Sequence, residues 1–239
     1  MIQPVSDPVL AGTVALVTGA SRGIGAAAAI ELARLGAHPV LVARTQGGLE
    51  ETDDAIRSAD GAATLLPLDL RDGTAIDAIG PSLYQRFGRL DILVHAAGVL
   101  GKLTPAGHIL PGDWNDVMGV NLAAAWRLIA TADPLLRRAP SGRAVFLTDP
   151  RAREPKAYWG AYGASKAALE HLVLSWADEV RTTALRVNLF DPGTVGTRLR
   201  EAAFPGIDPR TWPRPATIAP ALAALCLPAA TRHGALITA

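Results

Sequence analysis

The chain has 239 residues, 49% of them hydrophobic, and its 23 basic and 22 acidic side chains leave a formal net charge of +1. That length suits one α/β domain with a full core, and the composition excludes both a disordered chain and the basic excess that nucleic-acid binding demands. The single cysteine, Cys226, excludes an internal disulfide framework and a Cys-rich metal site. No apolar run reaches the length of a membrane span and Met1 to Leu10 lack a signal-peptide pattern, so a soluble cytoplasmic protein is expected.

Taken in order, residues 1–12 carry Pro4, Asp7-Pro8 and Gly12 and read as a surface tail. Apolar, partly β-branched runs predict strands at Val14–Val17, Pro39–Val42, Ala63–Leu66, Ile92–Val94, Arg143–Leu147, Leu185–Phe190 and Ala235–Thr238. Helical patterns fall at Ile24–Leu35, Leu49–Ala59, Thr74–Phe87, Asp113–Arg137, Tyr162–Arg181 and Thr217–Leu225. The alternation predicts one domain over 1–239, a parallel sheet with helices on both faces that binds ligands at the carboxyl ends of its strands. The long connection 193–216, with Pro205, Pro209, Pro213 and Pro215, reads as a substrate lid.

The first strand runs into Thr18-Gly19-Ala20-Ser21-Arg22-Gly23-Ile24-Gly25, and a helix leaves it. Gly19 allows the sharp turn, Gly23 leaves room for a pyrophosphate and Gly25 allows helix and sheet to pack closely. The first amides of the helix then face the phosphates, aided by the helix dipole. Sites that prefer NAD usually place an acidic residue at the end of the second strand, to bind the ribose 2′-hydroxyl. Here Ala43 and Arg44 stand there, and Arg22 lies in the turn. Two guanidiniums could clamp a 2′-phosphate, which favours NADP over NAD; the alternative is a pair of solvated surface arginines. After the third strand, Asp69 could reach an adenine amino group or could simply cap a turn.

Tyr162 and Lys166 lie four apart at a helix start and share one face. A phenol titrates near pH 10, and a neighbouring ammonium is expected to lower that value, so that Tyr162 could exchange a proton with a carbonyl oxygen as hydride arrives or leaves. The pair is weak evidence alone; beside the glycine turn it is strong.

These residues identify a resemblance to the short-chain dehydrogenase/reductase family, from Thr18-Gly19-x-x-x-Gly23-x-Gly25 through Tyr162-x-x-x-Lys166 to Asp191-Pro192-Gly193 and Thr197. The resemblance implies a Rossmann-like, doubly wound sheet of seven parallel strands. It also implies NAD(P)-dependent hydride transfer on a small carbonyl or alcohol, in a homodimer or homotetramer. By position, Tyr162 would be the acid/base, Lys166 would hold the nicotinamide ribose and tune Tyr162, and Asn121 would support a water-linked proton relay. Ser21, Ile24, Asp69, Leu70, Ala97 and Gly98 would join the glycines and arginines in lining the cofactor, and Pro192, Gly193, Val195 and Thr197 would meet the carboxamide end. His95-Ala96-Ala97-Gly98 lacks the two asparagines usual at that place, which points to a structural His95. Trp159, Phe204, Trp212 and Leu100 are candidates for an apolar substrate pocket or for packing. His38, His108, His171 and His233 show no metal spacing.

One departure stands out. The family's catalytic serine lies thirteen residues before the tyrosine, and 162 − 13 is 149, where this chain has Asp149. Losing a serine donor costs roughly 10²–10³ in rate at comparable sites. An ionised carboxylate about 4 Å away adds repulsion of roughly 4 kcal/mol at an effective dielectric near 20, which would raise the Tyr162 pKa. Four outcomes are open: Asp149 turns to Arg151 or Arg153, it is protonated in a dry pocket, Thr148 substitutes, or the protein binds cofactor without turnover. The first and last are favoured. The expected function is therefore an NADP(H)-dependent oxidoreductase weakened by Asp149, with a catalytically impaired NADP(H)-binding sensor or oligomer partner as the alternative.

Overall fold

The computed structural model describes residues 8–239, so the first seven residues of the expected tail lie outside the described part. Among the described residues, seven strands form one sheet: β1 (Val14–Thr18), β2 (His38–Ala43), β3 (Thr64–Pro67), β4 (Ile92–His95), β5 (Arg143–Leu147), β6 (Arg186–Asp191) and β7 (Ala235–Thr238). Their order is β3-β2-β1-β4-β5-β6-β7 and every pairing is parallel. The connections reverse direction between β1 and β4, where Thr18 lies in register with His95, and a crevice opens at the carboxyl ends of such strands.

The helices are α1 (Gly23–Arg34), α2 (Gln46–Arg57), α3 (Gly73–Asp77), α4 (Ile79–Phe87), α5 (Pro111–Met118), α6 (Ala124–Arg138), α7 (Gly160–Val180), α8 (Arg198–Ala203) and α9 (Pro215–Ala224). The two-residue period of the strands divides the apolar side chains between two cores. Val14 and Leu16 of β1 join Leu93, Phe146 and Val187 beneath α3, α4, α6 and α7. Ala15 and Val17 face the other way, with Leu41, Val94 and Val145, beneath α1, α2 and α9. Burial on both faces is why central strands such as β1 and β4 read as continuous apolar runs, whereas the edge strands β3 and β7 are only partly buried.

Three expectations need correction, and one connection gains structure. Leu10, within the expected surface tail, is buried, and its amide donates to the Leu35 carbonyl at 2.8 Å, closing the base of α1. The helix expected over Thr74–Phe87 is two helices that meet at Ala78. A proline deep in a helix would clash with the carbonyl four residues earlier, and restarting at Ile79 puts Pro81 in the first turn, where it is tolerated. The helix expected over Asp113–Arg137 is interrupted by a π-turn, Gly119–Ala123, that contains Asn121. The 193–216 connection is partly ordered by α8 and a 3₁₀ turn at Pro209–Thr211, and the Gly196 amide donates to the Pro213 carbonyl at 2.9 Å, pinching the loop shut at its base.

Candidate active site

The turn from β1 into α1 is built from missing side chains. Gly19 has φ +69°, and a Cβ there would lie 2.8 Å from the Ala97 amide nitrogen; a Cβ on Gly25 would overlap the Gly19 carbonyl. Gly23 has φ +58°, and the Thr197 methyl would lie 3.5 Å from its Cβ, so the segment after β6 reaches back over the phosphate turn. Arg22, at the N-cap of α1, is extended, its side chain caps nothing, and the first turn carries no acid. The leading amides of α1 therefore have no side-chain acceptor, and a diphosphate fits this cradle both sterically and electrostatically.

Around the turn, Arg22 and Arg44 are both exposed, and Ile24 is partly buried against the second core. Ser21 packs on the start of α2, since a Cβ on Gly48 would approach the Ser21 Cβ to 2.9 Å. Asp69 takes the turn-capping alternative: it accepts the Arg71 amide at 3.0 Å and pairs with the Arg71 guanidinium at 2.7 Å, which holds its carboxyl below the usual range. Leu70 buries its side chain in the core, leaving only its main chain to face a ligand. Ala97 donates weakly to the Thr18 hydroxyl, and a Cβ on Gly98 would sit 3.5 Å from Asn121 Oδ1 and 3.7 Å from Lys166 Nζ. After β6, Gly193 adopts φ +64° and donates to Asp191 Oδ1 at 3.0 Å, Pro192 is partly buried and Val195 is buried.

The same crevice receives Tyr162 and Lys166 from the first turns of α7, both at most 4% exposed. Lys166 Nζ donates to the Leu147 carbonyl at the end of β5, at 2.9 Å. Burial pushes its ammonium down to about 8, against the opposing pull of Asp149 and Glu170. Asn121 spends its whole side chain: it accepts from the Val99 amide at 2.8 Å and donates to the Val99 carbonyl at 2.9 Å and to Ser165 Oγ at 3.0 Å. That staple fixes the π-turn against α7. His95 is structural, as its motif suggests: its Nδ1 lies 2.8 Å from the Thr18 hydroxyl and burial drives its pKa down to about 3, so the ring is neutral.

The expected rescue of Asp149 by an arginine is not found. Its Oδ1 accepts the Arg151 main-chain amide at 2.8 Å, capping the 3₁₀ turn Pro150–Ala152, and its Oδ2 faces the Tyr162 hydroxyl at 3.4 Å, longer than a good O–H···O bond. Both guanidiniums are engaged elsewhere. Arg151 donates to the Glu154 carbonyl and carboxylate, each at 3.1 Å, and Arg153 pairs with Glu170 and, at 2.7 Å, with Asp191. Thr148 donates to Glu170 at 2.6 Å and points away from the phenol, as strand alternation requires, so it does not substitute either. In consequence the lowering of the Tyr162 pKa expected from Lys166 is not found, whereas the rise expected from the Asp149 carboxylate is. Burial, then the Asp149 carboxylate, hold the phenol well above its ordinary value.

The aromatic candidates divide. Trp159 meets Tyr162 edge-on at 5.7 Å and Phe204 at 5.8 Å, forming one wall of the site. Among tryptophans outside that set, Trp176 is core, with its indole donating to Asp133, whereas Trp114 and Trp126 are exposed. The network Thr148–Glu170–Arg153–Asp191 was absent from the sequence reading. A signal for it existed, because Glu170 repeats the four-residue spacing of Tyr162 and Lys166 along one face of α7.

Comparison with known proteins agrees with this geometry. The family model for short chain dehydrogenases matches residues 13–207. The chain belongs to the short-chain dehydrogenase/reductase family. The uncharacterised oxidoreductase YciK of Escherichia coli is 38% identical over 221 residues, covering 91% of this chain and 87% of that protein. A short chain dehydrogenase structure from Pseudomonas syringae superposes with a TM-score of 0.93 at 37% identity, over 97% of this chain and 96% of its own. Another, from Shigella flexneri and complexed with NADP, gives 0.92 at 33% identity, over 98% of this chain and 99% of its own. Membership makes the protein an NAD(P)-dependent oxidoreductase. Asp149 stands where the family resemblance implies a serine.

Proposed function

We propose that the protein is an NADP(H)-dependent oxidoreductase acting between a small carbonyl compound and its alcohol, at a rate held down by Asp149. The carrying observation is the glycine cradle with an uncapped α1, flanked by Arg22 and Arg44 and by no acid at the end of β2. Bound NADPH would supply the hydride from its nicotinamide ring. The α1 amides and Ser21 bind the diphosphate, Arg22 and Arg44 take the 2′-phosphate, and Asp69, Leu70, Ala97 and Gly98 line the adenosine and ribose side. Pro192, Gly193, Val195 and Thr197 hold the carboxamide end, and the 193–216 segment covers the substrate.

Tyr162 works as the protonated phenol that its raised pKa maintains and donates to the carbonyl oxygen. Lys166, still largely cationic at neutral pH, exchanges the Leu147 carbonyl for the ribose hydroxyls. With the Asn121 side chain fully bonded, a proton relay through this position runs along its main chain. A homodimer or homotetramer in the cytoplasm, the compartment supplying NADPH, completes the reading. An apolar groove of about 790 Å³, lined by Met118, Leu122, Trp126, Ala168 and Leu172, supports the self-association.

The test is a fluorescence titration. NADPH binds about ten-fold or more tightly than NADH, and Arg44→Ala narrows that gap, as expected for loss of a charge-assisted contact. Equal affinities for the two nucleotides would reject the assignment. One observation, the contact with Tyr162 of an Asp149 paired with no guanidinium, favours a second reading, in which the cofactor is bound without turnover as a sensor or oligomer partner.

A further inference from the structure

Asp149 is fixed in place, and no guanidinium among the described residues pairs with it. Its Oδ1 is anchored by the Arg151 amide, its Oδ2 faces the Tyr162 hydroxyl, and both neighbouring guanidiniums are committed to Glu154, Glu170 and Asp191. Lys166 feels the carboxylate but spends a proton on Leu147. Arg200 stacks 4.6 Å over the Phe204 ring and donates to Thr194, and its charge is felt at Tyr162, but it makes no ion pair with Asp149. Beside this anion stands an aromatic wall of Tyr162, Trp159 and Phe204. A carboxylate next to aromatic rings recognises a cation.

The acceptor of a hydride must present its heteroatom near the Tyr162 hydroxyl, and there the charge change decides which acceptor is suited. A carbonyl oxygen becomes negative as the hydride arrives, against a carboxylate that repels it. A protonated C=N begins positive and ends neutral, so it never develops the charge that a serine hydroxyl would have to stabilise.

We propose that this site reduces protonated imines, small cyclic iminium ions above all, with Asp149 as the residue that binds the N–H and selects the cationic form. The inference rests on the NADP(H)-dependent reading above and names a substrate class for which Asp149 is an asset. In the step, a C–H bond forms at the iminium carbon with the two electrons of the hydride and the C=N π pair becomes the nitrogen lone pair. NADPH is oxidised to NADP⁺, a secondary amine is formed, and no proton moves. The amine N–H stays hydrogen-bonded to Oδ2 until release. Tyr162 and Trp159 shape the pocket, and the raised phenol pKa keeps a second negative charge from the site at neutral pH.

The test compares ligands that differ in charge and little in shape, on the NADP-loaded chain at neutral pH. 2-Methylpyrrolidine, present as its ammonium, quenches tryptophan fluorescence with an affinity about ten-fold or more above that of 2-methyltetrahydrofuran. Asp149→Asn, which keeps the shape and the acceptor for the Arg151 amide, erases the preference. In turnover with NADPH, 2-methyl-1-pyrroline is the better substrate than cyclopentanone in the native chain, and Asp149→Ser reverses the order. A variant is scored only where it still binds NADPH, and the two native-chain comparisons decide the matter without any variant. Equal binding of the two ligands, or a preference that survives in Asp149→Asn, overturns the proposal. A native chain that binds neither nucleotide overturns the oxidoreductase reading along with it, whereas one that binds NADPH but ignores the ammonium overturns the iminium assignment alone.

Discussion

The two ends of the crevice are made by opposite means. At the β1–α1 end the site consists of what is absent: three side chains that would collide with Ala97, with the Gly19 carbonyl or with an arriving phosphate, and a cap that α1 does not have. At the β5–α7 end it consists of what is present and crowded. A buried phenol, a buried ammonium and a carboxylate lie together, and the carboxylate raises the titration of both the others. The first end tolerates almost no substitution, because backbone cannot move aside. The second can be retuned by one residue, because fields add and subtract while the fold stays as it is. A protein can in this way keep the family's cofactor cradle intact and still change what the cradle serves.

The contrast can be broken most severely at Tyr162. Tyr162→Phe removes the proton donor and should lower carbonyl reduction about 10²–10⁴-fold while NADPH binding persists, read by comparing steady-state rates with nucleotide titration. Unchanged turnover would remove the phenol from the mechanism. At the opposite end, Gly25→Ala should weaken NADPH by about 100-fold with the sheet still folded by circular dichroism, since its methyl displaces the Gly19 carbonyl and with it the phosphate turn. Retained affinity would show that the turn has slack. Asp149→Ser should raise ketone turnover by about 100-fold, toward what a restored hydroxyl donor supplies.

The smallest effect is in the pH profile of that same variant. Lys166 is held near 8 by burial while Asp149 pulls it upward, so removing the carboxylate lowers the Lys166 pKa and moves the alkaline fall of kcat/KM to lower pH. A shift to higher pH would mean the two groups do not interact. The linkage has a definite sign. With the folded value below the ordinary 10.5, the unfolded chain binds more protons between the two values, so this lysine makes stability rise with pH from about 8 to 10.5. Lys166→Met should flatten that slope in denaturant titrations.

Much of this is legible in the chain itself. Arg143–Leu147 falls as expected, because a buried parallel strand announces itself as an apolar run, and Ala235–Thr238, a half-exposed edge strand, also falls as expected. Gly19, Gly23 and Gly25 declared the turn, because only glycine meets its steric demands. The split at Ala78 is marked in the sequence only by Pro81, which periodicity alone does not weigh. The π-turn at Asn121 has no periodic signature of its own, since a single extra residue inside an amphipathic run leaves the pattern on both sides intact.

The sequence by itself determined the three-layer architecture, the phosphate turn, the pairing of Tyr162 with Lys166 and the anomaly at position 149, because each is local: a run, a turn or a fixed spacing along one helix. Only the tertiary structure decided where the Asp149 carboxylate points and which charges answer it. Arg151 and Arg153 are its near neighbours in the chain, but their partners, Glu154, Glu170 and Asp191, come from the following turn, from α7 and from β6. Ion pairing is settled by distance in space, and that distance is set by how α7 and β6 pack against the end of β5.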